Sequence, residues 1–188
     1  MTTALLVIDM QMHMADRTAS GRPRCNPDAE THVASLLALF RSENRPVFHV
    51  LHHDTDPTSL FQKGLHEAEP MPCAVPAPGE PVFWKTGSSG FSGTGLDSAL
   101  RRAGITRIVL VGAVAVYCIT STTRAGSDLG FDIMLPSDAL LGFDLPGHDG
   151  GRIDPETALR VTLATLGSDF ARVVTTDQVA TLLQSVSG

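Results

Sequence analysis

The sequence predicts an α/β fold: one doubly wound domain over residues 1–188, with a six-stranded, mostly parallel sheet and helices on both faces. Three observations predict it. Short runs rich in Val, Ile and Leu recur along a chain that is 43% hydrophobic, and each run is apolar enough to be buried on both faces. Longer segments with helical spacing lie between them, as parallel crossovers require. The 17 Gly and 12 Pro residues are spread along the chain rather than gathered into a linker.

The strands are expected at ALLVIDM (4–10), PVFHVLH (46–52), PVFWK (81–85), RIVLVGA (107–113), FDIMLP (131–136) and RVVTT (172–176). After the first, Asn26 followed by Pro27 reads as a helix cap, and Val33, Leu36, Leu37 and Phe40 supply an apolar stripe up to Asn44. Later helices are expected over 94–103, 116–129, 156–167 and 177–186. The stretch 53–80 has no period and carries Pro57, Pro70, Pro72, Pro76, Pro78 and Gly79. It reads as a long lid or binding loop, and 142–151 as a second, flexible loop.

Charge narrows the function. With 14 Lys+Arg against 20 Asp+Glu, a formal charge of −6 and no basic run, the chain lacks the footprint of a nucleic-acid or anionic-membrane binder. A small molecule is the expected partner. Cys25, Cys73 and Cys118 are an odd number at wide spacing, which favours a reducing compartment. The opening apolar run has no basic flank and is broken by Asp9, so neither a signal peptide nor a membrane span is expected, and the location reads as cytoplasmic.

In open α/β sheets, ligands lie beyond the carboxyl ends of the strands, and three reactive groups fall there. Asp9 closes the first strand, Lys85 closes PVFWK, and Cys118 follows RIVLVGA at the start of the next helix, where the helix dipole favours a thiolate. Lys63 and Lys85 are the only lysines among the 14 basic residues, so either can mark a place where an ammonium is specifically wanted. Each residue also has a structural reading: Asp9 as a loop anchor, Lys85 as a stem covering Trp84, Cys118 as a core residue on one face with Thr122, Ala125 and Leu129. Together they make a base, a cation and a nucleophile at one edge.

Other polar groups read more plainly. GSSGFSGTG (87–95) lacks both GxGxxG and a terminal GK[ST], so it is expected to be a turn beside Lys85 with Phe91 pointing inward, not a phosphate loop. His49 is expected to pack in the second strand, and His52, His53 and Asp54 to line the loop or face solvent. His148, in a glycine-rich loop, has nothing that fixes its position.

At this point the residues resemble the isochorismatase-like cysteine hydrolase superfamily, over nearly the whole chain. LLVIDMQ (5–11) resembles the opening strand with its acid; Lys85, Ser89, Phe91, Thr94 and Leu96 match a spaced pattern; and 109–139 resembles the nucleophile strand, helix and next strand. LATLGSDFARVVTT resembles the C-terminal segment. The resemblance implies an Asp9–Lys85–Cys118 triad and a cis Ala113–Val114 peptide. It also implies an oxyanion hole from the N–H groups of Val114 and Cys118. Gln11, Phe91 and Tyr117 are expected around the substrate pocket, with Gln11 helping to position the Asp9 loop. Ala115 and Val116 replace the polar pair of many members, which implies a more apolar pocket. HHDTDPTSLF (52–61) does not reproduce the metal-binding pattern of nicotinamidase-like members, so no metal or other cofactor is expected.

The resemblance thus implies an amidohydrolase cleaving a small amide, lactam or carbamoyl compound, as a homodimer or homotetramer. Two alternatives stand beside it: a vinyl ether hydrolase using Asp9 without Cys118, and a non-catalytic small-ligand binding protein on the same fold.

Overall fold

The computed structural model describes residues 2–184. The chain runs β1 (Thr2–Ile8), α1 (Met12–Ala19), α2 (Ala29–Ser42), β2 (Val47–His52), β3 (Val82–Lys85), α3 (Leu96–Arg102) and β4 (Ile105–Ala113). It continues through α4 (Thr120–Asp128), β5 (Asp132–Pro136), β6 (Leu140–Leu141), β7 (Leu145–Pro146), β8 (Arg152–Ile153), α5 (Pro155–Asp169), β9 (Arg172–Val174) and α6 (Thr176–Gln184). The six expected strands pair in parallel in the order β3-β2-β1-β4-β5-β9, and the two-residue β6 joins beside β4 as a seventh.

The alternation of residues along the central strands produces two cores. Leu5 and Val7 of β1 join Val109, Val111 and Ala113 of β4 in one apolar cluster with Val33, Leu36, Leu37 and Phe40 of α2. Ala4, Leu6 and Ile8 join Ile108 and Leu110 in the other, with Leu96 and Leu100 of α3 and Leu159 and Leu166 of α5. Successive side chains of a strand point to opposite faces, so both faces must be covered by helices. Truncating one of these fully buried leucines to alanine costs about 2–5 kcal/mol.

Strand order reverses between β2-β1 and β4-β5, which opens the crevice at the carboxyl edge. There β4 must approach β1 closely. Gly112 pairs with Ile8 in register at φ 122°, and a Cβ at that position would overlap the Ile8 carbonyl. Only glycine fits.

Several expectations are corrected. Asn26 does not cap α2, which starts at Ala29 behind Asp28; at φ 47° its side-chain amide donates to the Ser137 and Leu140 carbonyls, at 2.7 and 2.8 Å. Helix α1 was not expected: Met14 is its one buried residue and its N-cap makes no side-chain bond, so neither stripe nor cap marks it. The expected helix 116–129 divides into a π-helical turn, Ala115–Ile119, and α4. The 142–151 loop, for its part, carries the buried Asp144, paired with Arg22 Nε at 2.8 Å from Oδ1, and its β7 pairs antiparallel with β8 just beyond it. Residues 185 and 186 of the last expected helix lie outside the described residues.

Candidate active site

The site is built where three strands end. Asp9 follows β1 directly, at φ 50°, a left-handed conformation that Asp tolerates better than most residues. Its amide donates to the Val50 carbonyl at 2.9 Å and its carbonyl accepts from the Gln11 amide at 2.9 Å. Gln11 then braces this loop. Its side-chain Nε2 donates to the carbonyls of His52 (2.8 Å) and Ala68 (2.7 Å), and its Oε1 accepts from the His52 amide at 2.8 Å. Gln11 is fully buried and its amide is engaged on these backbone groups, which suits positioning the loop rather than lining a pocket.

Lys85 ends β3 with its side chain at 0% exposure, Nζ 2.8 Å from Asp9 Oδ2. The same ammonium donates to the Gly87 carbonyl at 3.1 Å and to Cys118 Sγ at 3.2 Å, and lies 3.4 Å from His52 Nδ1. It is not a stem over Trp84; Lys63 takes that position, Nζ 5.0 Å from the ring centroid. Cys118 sits in the π-helical turn after β4. The Ala113–Val114 peptide before it is cis, and the Val114 carbonyl accepts from Tyr117 at 2.9 Å and Ile119 at 3.3 Å. The Thr120 hydroxyl donates to the Ala115 carbonyl at 2.8 Å, which holds the turn against α4.

The electrostatics correct the expectation of a ready-made thiolate. Burial, and then the Asp9 charge, push the Cys118 thiol up to about 11, against the lowering pull of Lys85. Burial also raises Asp9 above the usual carboxylate range, partly offset by Lys85 and by the Cys118 thiol donating toward it. Asp9 Oδ1 is buried without a hydrogen-bond partner among the described residues. The arrangement is therefore a resting thiol beside a carboxyl group of raised basicity, with the Lys85 side chain touching both.

A second contact fixes Lys85 relative to Cys118. The Gly90 amide donates to Thr122 Oγ1 at 2.9 Å, latching the loop after β3 onto α4 one turn beyond the nucleophile. Thr122→Val, nearly the same shape, leaves that buried N–H without an acceptor and is expected to cost about 1–3 kcal/mol in urea unfolding. Thr122→Ser is expected to recover most of it; equal stability of Thr122→Val and wild type would contradict the latch.

Phe91 and Tyr117, expected around the substrate pocket, differ in their surroundings. Phe91 stacks on Phe131, centroids 5.9 Å apart, and lies against Gly126, two turns along α4 from Cys118. Tyr117 is 54% exposed and turns toward solvent. His49 is packed as expected and lies 2.8 Å from Glu80 through Nε2. His53 sits edge-on to Trp84. His52, expected in the loop or at the surface, instead faces Lys85 because the two are register partners in β2 and β3. That proximity was visible only once the strand register was known. Among the described residues no three His, Cys, Asp or Glu side chains gather into a metal-binding group.

Comparison with known proteins places the chain. A family model described as the isochorismatase domain matches residues 3–158. The chain belongs to the isochorismatase family, a family of hydrolases. It is similar to the uncharacterized isochorismatase family protein YrdC of Bacillus subtilis (strain 168), 32% identical over 94% of this chain and 93% of that protein. It superposes on an isochorismatase-family protein from Chromobacterium violaceum ATCC 12472 with a TM-score of 0.93 and 32% identity, covering 98% and 94% of the two chains. A streptothricin hydrolase of Streptomyces noursei is 32% identical over 76% of this chain and 51% of its own length. A ureidoacrylate amidohydrolase, RutB of Methylobacterium radiotolerans, is 33% identical over 62% and 41%.

On location, no helix among the described residues is long and apolar enough to cross a membrane. One relative, 30% identical over 94% of this chain and 90% of its own length, is a secreted isochorismatase effector of Verticillium dahliae.

Proposed function

We propose that this chain is a cysteine hydrolase that cleaves a C–N bond of a small amide, lactam or carbamoyl compound through a thioester. The observation that carries the reading is the buried Lys85 ammonium touching both Asp9 (2.8 Å) and Cys118 Sγ (3.2 Å). Burying a lysine this fully is costly unless it is paired, and a structural ion pair has no need of a thiol as third member. Relatives named as streptothricin hydrolase and ureidoacrylate amidohydrolase support a nitrogen leaving group.

Asp9 takes the Cys118 proton, and the thiolate adds to the substrate carbonyl carbon. The oxyanion is received by the N–H groups of Val114 and Cys118, contacts worth about 3–4 kcal/mol per donor where one has been removed from an enzyme. Asp9 returns the proton to the nitrogen, the C–N bond breaks and the amine leaves. Asp9 next takes a proton from water, hydroxide adds to the thioester, the C–S bond breaks, and the proton passes from Asp9 to the sulfur. Lys85 offsets whichever anion is present. A carboxylate whose basicity is raised by burial suits a base that must deprotonate a resting thiol.

The reading carries with it a small-molecule partner and a homodimer or homotetramer. An exposed apolar groove beside the nucleophile turn, lined by Val116, Leu145, Ile153 and Val161, offers a face for a second copy. The test of function is a screen of small amides, lactams and carbamoyl compounds for ammonia or amine release, before and after alkylation with iodoacetamide. Release that disappears when Cys118 is alkylated is expected. Hydrolysis indifferent to complete alkylation would overturn the covalent mechanism.

A further inference from the structure

His52, the last residue of β2, lies outside the acid, cation and nucleophile, yet both its backbone and its ring are held by side chains. Its backbone amide and carbonyl are both engaged by the Gln11 side chain. Its ring packs at 5.3 Å from Phe61, which also stacks on His13 at 4.8 Å. Its Nε2 is 3.2 Å from Asp54 Oδ1, and Asp54 Oδ2 accepts from the Ser59 hydroxyl at 2.6 Å. A carboxylate at Nε2 selects the tautomer with Nε2–H. The lone pair then sits on Nδ1, which is the atom facing Lys85 at 3.4 Å.

Lys85 has three N–H groups and four acceptors in reach: Asp9 Oδ2, the Gly87 carbonyl, Cys118 Sγ and His52 Nδ1. The acceptors are not equal through a reaction cycle. A thiolate is a strong acceptor for an ammonium, whereas a thiol is a weak one, and an acylated sulfur has no charge to offer. In a buried site an ammonium N–H without an acceptor is expensive.

We propose that His52, oriented by Asp54, is a positioning residue that takes the third Lys85 N–H while Cys118 carries an acyl group. During that half of the cycle Asp9 must act on water, and Lys85 must stay in place beside it with the thiolate gone. The inference rests on the cysteine-hydrolase reading and assigns a role to a residue outside its three reacting groups.

The test uses p-nitrophenyl acetate, which acylates an activated cysteine and reports each acylation as p-nitrophenolate; intact mass then follows the acetyl group on Cys118. In His52→Leu the initial burst is expected at close to the wild-type rate, with the later deacylation slowed about ten- to hundredfold, the range of one hydrogen bond to a charged group. In His52→Asn, whose Oδ1 can take the place of Nδ1, most of the deacylation rate is expected to return. Asp54→Ala, at a more exposed position, is the second variant and is expected to slow the same step by less. Fluorescence of Trp84, the one tryptophan, checks the folded state of each variant. Deacylation at wild-type rate in both His52→Leu and Asp54→Ala would overturn the inference alone, as would equal slowing of both steps. A wild-type chain that is never acylated at Cys118 would overturn the cysteine-hydrolase reading and this inference with it.

Discussion

Replacing Cys118 with alanine is expected to abolish turnover, by about 10⁴-fold or more, while leaving the fold standing. The two effects separate because the sulfur contributes little to packing. Cys118 is a partly buried side chain at the border of one apolar cluster, and the turn that carries it is held by backbone bonds to Val114 and by the Thr120 hydroxyl. Loss of one sulfur there is expected to cost about 1 kcal/mol. Cys118→Ser keeps a nucleophile of the right shape, but its hydroxyl holds its proton far more tightly than the thiol, and little activity should remain. Steady-state hydrolysis with thermal unfolding of each variant checks both halves, and undiminished activity in Cys118→Ala would end the covalent account.

The second large effect is on stability. Asp9 and Lys85 form an ion pair with side chains at 2% and 0% exposure, and removing one partner from such a pair leaves an uncompensated buried charge, at a cost of about 3–5 kcal/mol. Lys85→Met and Asp9→Asn are therefore each expected to be inactive and strongly destabilised. Asn is the proper replacement at 9, because it accepts the φ of 50° that Asp9 adopts. The double variant carries neither charge. It should be more stable than Lys85→Met and remain inactive, giving a large coupling in a double-mutant cycle. Additive destabilisation, with the double variant weaker than either single one, would contradict a paired buried site.

Much of this was legible in the residues. Runs such as ALLVIDM and RIVLVGA are apolar on both faces, and that alone required covered parallel strands; their carboxyl ends then placed Asp9, Lys85 and Cys118 on one edge. The features that were not legible depend on register or on three-dimensional closeness. Gly112 is required by the carbonyl of Ile8, more than a hundred residues away in sequence. His52 faces Lys85 only because β2 and β3 pair with those two residues opposite each other. Asn26 looked like a cap because Asn before Pro commonly is one, yet two distant carbonyls claim its amide. Phe91 points inward as expected, but its partners, Phe131 and the far end of α4, could not be named from the residues. The state of Cys118 was misjudged for a related reason. A helix start favours a thiolate, but here burial and the Asp9 charge act the other way.

That last point makes Cys118 directly testable against a control within the same chain. Burial pushes Cys73 to about 11 as well, yet it lies in the 72–74 turn away from Asp9 and Lys85. The decisive measurement is the pH dependence of iodoacetamide labelling, read peptide by peptide by mass spectrometry, in wild type and in Asp9→Asn. If Asp9 is the base for a resting thiol, wild-type Cys118 labels at neutral pH well ahead of Cys73, and its rate falls as acid protonates Asp9. In Asp9→Asn the acid limb should vanish and a single alkaline limb remain, at lower pH than that of Cys73, because the Asp9 charge no longer raises the thiol while Lys85 still lowers it. Cys118 labelling no faster than Cys73 in the wild type, or at the same neutral rate with and without the Asp9 carboxylate, would contradict the account.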